Sequence, residues 1–391
     1  MTLEQQLRDR LGTVDVPPSR LDVGNVLAAG RRADRRRTVQ VAAGTVLVMG
    51  ALVALPSVVF GSRGTQHATP TPNQSATAGP PPSGDCTLTK LPVPRAMKNL
   101  SARGVDPTGR YIIGVNVSGK PGPKSDPDSA DRSQDAQPVL WTDGKVKTLP
   151  APHRSIRLTG VNAGGVVVGL AGDTVNDTVW RWVGGQPQKL RNPAGSWDFS
   201  YAFVNAPGDV VATGDTGVLV WRAGSTTATK LPLETGAEVR AFTDDGTLIG
   251  QVVSLDRTKV TAYTWTLSGA ATKLTAPDGR NVEIFTARGD WVTARIAPAG
   301  AAVRWNRKTG HLEDLRLPFP ANGINGHGWV VSQDVLVKDT GPVGLTDPTG
   351  DFTAPSDIAD NGLIVGILND YQTQNPDTGE PDNQPVTWTC R

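Results

Sequence analysis

Cysteine is nearly absent: the 391-residue chain has two, Cys86 and Cys390. That excludes a disulfide-dense scaffold and a Cys-rich zinc fold. Histidine is almost as scarce, with His67, His153, His311 and His327 far apart in the sequence. No HExxH, GxSxG or P-loop pattern occurs, so these familiar marks of metalloproteases, serine hydrolases and nucleotide-binding proteins are missing. No charge of one sign dominates. The 39 basic and 37 acidic residues leave +2, without the basic excess of a nucleic-acid binder. Aromatics make up only 5%, yet 10 of them are Trp. What is plentiful is punctuation. The 44 Gly and 31 Pro are far above average usage and favour turns and short strands over helices.

Composition divides the chain into four segments. Residues 1–38 hold eight Arg and five acids, with Arg31, Arg32, Arg35, Arg36 and Arg37 crowded at the end. LEQQLRDRL, from Leu3, reads as a short helix. Residues 39–60 follow, 22 residues without a charge. At about 1.5 Å per residue such a helix spans roughly 33 Å, enough for a bilayer core of about 30 Å. Only Arg63 flanks its far end closely, so the positive-inside rule puts the N-terminus in the cytoplasm and the rest outside. A cleaved signal peptide fits less well: the charged region is long, and no small-x-small site closes the run. Residues 61–85 are a linker, with 16 of 25 positions Pro, Gly, Ser or Thr. Such a segment buries too little to fold and reaches about 25–30 Å. Residues 86–391 form the folded region. The +3 of residues 1–38 leaves it a formal charge of −1.

Within the folded region a single pattern returns seven times, 34 to 56 residues apart. DPTGRYIIG from Asp106, NAGGVVVG from Asn162, NAPGDVVA from Asn205 and TDDGTLIG from Thr243 are the first four copies. TARGDWVT from Thr286, NGHGWVVS from Asn325 and ADNGLIVG from Ala359 complete the set. The fourth residue is Gly in every copy: Gly109, Gly165, Gly208, Gly246, Gly289, Gly328 and Gly362. A polar head residue with Gly three places on predicts a turn, and the apolar triplet after it a buried strand. Each copy continues with a second half: a Trp-bearing strand, a turn, and a strand ending in Leu. Trp141, Trp182, Trp221, Trp265, Trp305 and Trp388 hold the Trp position, and Val337 replaces it in copy six. Leu149, Leu190 and Leu345 close three of the copies. A Trp ladder for stacking ligands is conceivable, but packing between neighbouring units is the simpler reading. Four antiparallel strands (A to D) repeated seven times predict an all-β, seven-bladed β-propeller behind an N-terminal transmembrane helix.

Copy seven stops at PVTWTCR, just after its Trp strand. CTLTKLP, from Cys86, matches the end of a D strand. Joining the two restores the Trp-to-Leu spacing of the other copies. Cys86 and Cys390 therefore fall where the C–D turn of the last blade is cut, and a disulfide between them staples the ring. Such a bond places the propeller in an oxidising compartment.

VNAGGVVVG and ADNGLIVG resemble the HAF-type extracellular repeat, and the chain resembles single-pass, membrane-anchored propeller proteins of high-GC Gram-positive bacteria. Copies three, five and six depart at the closing Gly, with Ala212, Thr293 and Ser332. The resemblance implies a plasma-membrane protein with an extracytoplasmic propeller, and it assigns no catalytic residue.

Two long B–C loops stand out, Ser118 to Gln137 in blade one and Asn369 to Gln384 in blade seven. They carry Asp126, Asp128, Asp131, Asp377, Glu380 and Asp382, which ring closure brings to one sector. This sector reads either as solvated acidic loops or as a docking surface for a basic partner or a calcium ion; no EF-hand pattern is present. The expected function is binding or sensing of an extracytoplasmic protein or small ligand, with no nucleic-acid partner and no resident cofactor. An extracytoplasmic hydrolase or lyase is the alternative, which an axial cluster of acids, His or Tyr would favour. A transmembrane regulator signalling through residues 1–38 is the third reading.

Overall fold

The computed structural model describes residues 86–390 apart from 96, 119–134, 173–176, 255, 257–258, 277–278, 297–299, 318–320, 346, 348–351 and 375–380. The transmembrane helix expected over 39–60 lies outside the described residues. Among those described, no helix is long and apolar enough to cross a membrane.

The strands form seven antiparallel four-stranded sheets, each in the order A-B-C-D. β1 (Cys86–Lys90) stands apart from the blade that follows it. Blade one is β2 (Leu100–Val105), β3 (Tyr111–Ser118), β4 (Asp135–Thr142) and β5 (Lys145–Thr148). The A strands of blades two to seven are Ile156–Val161, Phe199–Val204, Ala237–Phe242, Val282–Arg288, Gly323–Ile324 and Phe352–Ile358. Each A strand touches the A strands of both neighbours, so the sheets close into a ring with A innermost. Blade seven takes its A, B and C strands from the C-terminus (Phe352–Ile358, Leu363–Gln374, Pro381–Cys390) and its D strand from β1. The register sets Cys86 opposite Cys390 and Leu88 opposite Trp388. The disulfide joins Cys86 and Cys390 across 304 residues, with a Cα–Cα distance of 4.0 Å.

The repeat residues explain what holds the ring. Seven apolar clusters fill the seven blade interfaces, and each pairs the closing Leu of one blade with the C-strand residue of the next. Leu91 meets Trp141, Leu149 meets Trp182, and Leu190 meets Trp221. Leu231 meets Trp265, Leu274 meets Trp305, Leu315 meets Val337, and Leu345 meets Trp388. The six Trp rings are buried. Packing between blades, not ligand stacking, is thus their role. Three indole N–H groups are matched to the same seam, whereas those of Trp305 and Trp388 are buried without a partner among the described residues. Trp141 donates to the Pro92 carbonyl at 2.8 Å, Trp182 to Pro150 at 3.0 Å and Trp221 to Arg191 at 3.1 Å. Each acceptor directly follows the neighbouring blade's Leu. Trp265 instead donates to the Glu234 carboxylate at 2.8 Å.

The A–B turns follow the expected chemistry in six blades. The Gly N–H bonds back to the head-residue carbonyl, as from Gly165 to Asn162 at 2.9 Å. The Asn162 side chain accepts from the amides of Gly164 and Val166 and donates to the Asn205 carbonyl of the next turn at 2.8 Å. Blade five differs. Its A and B strands pair Arg288 with Trp291, leaving a two-residue turn led by Gly289 at φ 57°. Arg288, rather than Thr286, therefore holds the head position, and Ala294, rather than Thr293, aligns with the closing Gly. The apolar WV pair masks a one-residue deletion.

Candidate functional site

The acidic sector expected from the sequence is mostly beyond description. Asp126, Asp128, Asp131, Asp377 and Glu380 lie outside the described residues. Asp382 lies in strand C of blade seven, its backbone opposite Asp370. Both loops are shorter than expected. β3 and β4 pair as far as Ser118 opposite Asp135, leaving 119–134. In blade seven the ladder runs on to Gln374 opposite Pro381, with a bulge after Asp370, leaving 375–380. Polar residues of low strand propensity read as loop, although an established ladder continues through them. Asn99 joins the bases of the two hairpins. Its N–H donates to Asn116 Oδ1 at 3.1 Å, and its Oδ1 accepts from the Asn383 amide at 3.3 Å. The hairpins thus rise from adjoining blades. Among the described residues, no group of three or more His, Cys, Asp or Glu is placed to hold a metal ion.

The second candidate site is the axial channel, which the sequence reading left empty. The A strands carry β-bulges, in which one residue is unpaired and its side chain is re-aimed. The register steps over Arg103 in blade one, Thr159 in blade two and Arg240 in blade four. It does the same at Phe285 in blade five and Ser356 in blade seven. These five residues share one level around the axis.

The next level up each A strand is Gly104, Gly160 and Gly323 in blades one, two and six, but Asp357 in blade seven. Gly104 and Gly323 make room for the carboxylate. A Cβ on Gly323 would stand 3.0 Å from both Cα and Oδ1 of Asp357. Asp357 Oδ2 accepts from the Val105 amide of blade one at 3.1 Å, and Oδ1 accepts from the Ile358 amide at 2.8 Å. Arg288 of blade five reaches past the short A strand of blade six to within 3.8 Å of Asp357 Oδ2. The shortened blade-five turn places Arg288 for this contact. Burial pushes the Asp357 carboxyl above the usual carboxylate range, against the opposing pull of Arg288 and the two amides.

Across the ring, Arg240 donates to Tyr201 Oη at 2.6 Å and to Glu238 Oε2 at 2.7 Å. Its guanidinium also lies over the Tyr201 ring, 4.8 Å from the centroid. Arg103 is different again. Water reaches its side chain, yet surrounding protein desolvates the guanidinium and lowers its pKa.

The channel therefore has acids and a Tyr from several A strands, the pattern that would favour an enzyme. Its two central carboxylates are however each engaged by an arginine. The A strands contain neither His nor Cys. His153 lies on the link between blades one and two, His311 beside Trp291, and His327 beside Trp329. The arrangement provides charged hydrogen-bond donors more readily than a nucleophile with its base.

No protein-family model matches the chain, and no curated protein sequence matches it. Solved propellers do resemble it in fold. The β-propeller domain of the Trilobed protease from Pyrococcus furiosus is 9% identical, with a TM-score of 0.50 over 75% of this chain and 95% of that one. Virginiamycin B lyase from Staphylococcus aureus is 13% identical, with a TM-score of 0.49 over 78% of this chain and 99% of that one. The RRP9 WD40 repeats are 11% identical, with a TM-score of 0.49 over 78% and 97%. At these identities the likeness is one of fold alone.

Proposed function

We propose that the chain is a membrane-anchored, extracytoplasmic propeller that binds or senses a ligand or protein partner. In this reading residues 1–38 stay in the cytoplasm, 39–60 cross the plasma membrane and 61–85 tether the ring. The observation that carries it is the Cys86–Cys390 staple at the seam. A bond that closes the fold covalently persists in an oxidising compartment and not in a reducing one. Binding is favoured over catalysis by the channel, where the central carboxylates are held by Arg240 and Arg288.

Protease added to intact protoplasts should remove the propeller and spare an N-terminal tag. A mature N-terminus near residue 60, or a propeller protected until lysis, would overturn the topology. The acidic sector remains within the proposal. β1 starts at the cut C–D turn, on the face opposite the B–C hairpins. Neutralising Asp126, Asp128, Asp131, Asp377, Glu380 and Asp382 together should weaken cross-linking to a basic partner or abolish a calcium-dependent rise in melting temperature. Unchanged cross-links and no calcium effect in the wild type would remove these residues from the binding surface.

A further inference from the structure

The bulge level of the channel combines polar groups that the fold does not use. Among the described residues, no hydrogen bond or ion pair reaches the Arg103 guanidinium. In the neighbouring blade Thr159 Oγ1 is buried without a partner, and so is Nε of Arg240 on the far side. One level on, Nη1 of Arg288 is also buried and unpartnered. Unmatched buried donors are rare in folded proteins, because each costs its lost hydration. Here three of them, on three blades, belong to A strands at the axis, and the exposed, unpaired Arg103 stands on a fourth. The charge is one-sided as well. Glu238 is matched by Arg240 and Asp357 by Arg288, which leaves Arg103 in excess, although the folded region as a whole is −1.

We propose that the axial channel is a binding site for a small oxyanion group, a carboxylate or phosphate, gripped by Arg103 with Thr159 beside it. The planar guanidinium presents paired N–H donors at the spacing of two such oxygens. The Thr159 hydroxyl supplies a further donor from the next blade. Arg240 and Arg288 add positive potential from the opposite wall. The bulges make this possible: they turn Arg103, Thr159 and Arg240 out of the regular alternation that would bury them between blades. Arg103 is the arginine of the channel that no carboxylate matches, and an anion supplies that partner on binding. The site rests on the binding reading above and specifies its ligand chemistry.

The test uses the full-length chain purified in detergent, with inorganic phosphate and malonate as separate probes. At least one should raise the wild-type melting temperature and give saturable binding. Arg103→Gln should lose about tenfold or more in affinity for that probe, and Arg103→Lys should fall between. Arg110→Gln, which removes an exposed arginine paired with Asp143, should behave as wild type. The site is overturned if neither probe binds the wild type at millimolar concentration, or if Arg103→Gln binds as well as the wild type. Either failure leaves the topology and the partner cross-linking standing, because those are read by protease and cross-linker rather than by anion titration.

Discussion

Trp182 and Trp305 occupy the same C-strand slot but differ in one hydrogen bond. Both are buried in an interface with the preceding blade. Trp182 Nε1 donates to the Pro150 carbonyl at 3.0 Å, whereas Trp305 Nε1 has no partner among the described residues. Replacing either by Phe removes about the same ring volume, so the packing losses largely cancel in the comparison. Trp182→Phe also loses a net hydrogen bond of about 1 kcal/mol, whereas Trp305→Phe relieves an unmet donor costing about 1–3 kcal/mol. Trp182→Phe should therefore be the more destabilising of the two by roughly 2–4 kcal/mol. Urea unfolding with unchanged slope would read this as a difference in midpoint. Trp221→Phe, which loses a bond to the Arg191 carbonyl, should group with Trp182→Phe. Equal losses at Trp182 and Trp305, or the reverse order, would refute the role assigned to the Leu–carbonyl–Trp contact.

Gly328 sits at φ 80°, and a Cβ there would stand 2.6 Å from the Trp291 ring, so Gly328→Ala should lower stability by about 2 kcal/mol in denaturant melts. Asp357 titrates above the ordinary carboxylate range, so its protonation favours the folded state. Its contribution is present below the unfolded pKa and is lost as pH rises through the raised folded value. Wild type should thus gain melting temperature relative to Asp357→Asn as pH falls from neutral through that window; a pH-independent difference would contradict the assignment. Cys86→Ser should leave the circular dichroism of the fold intact and cost about 2–4 kcal/mol, less than the chain-entropy value for so long a loop.

Blade number and ring closure were legible because each repeat writes them locally. The Gly of the repeat takes positive φ in all seven copies, and the Trp and Leu positions meet in every interface where both occur. Even the Val337 substitution keeps its slot, against Leu315. Blade five misled by one residue, since Gly289 sits fourth from Thr286 but second in the true turn. The channel was not legible at all. Arg103, Thr159, Arg240, Phe285 and Ser356 share a level but no residue type, and only the strand register shows that they are equivalent. Nothing in the residues around Asp357 announced that Gly104 and Gly323 clear its place. The extent of the B–C hairpins was hidden for a different reason. Asn, Asp and Gln extend an existing ladder without showing strand propensity of their own.

The central claim, a ring stapled at its seam outside the cytoplasm, has one direct test, because the chain contains only Cys86 and Cys390. Intact cells should be treated with a membrane-impermeant maleimide, with and without prior exposure to a membrane-impermeant reductant, and the mass of the chain then measured. The account predicts no label without reductant and two labels after it, before any lysis. Two thiols that react only once the cells are lysed, without any reductant, would contradict both the staple and the location.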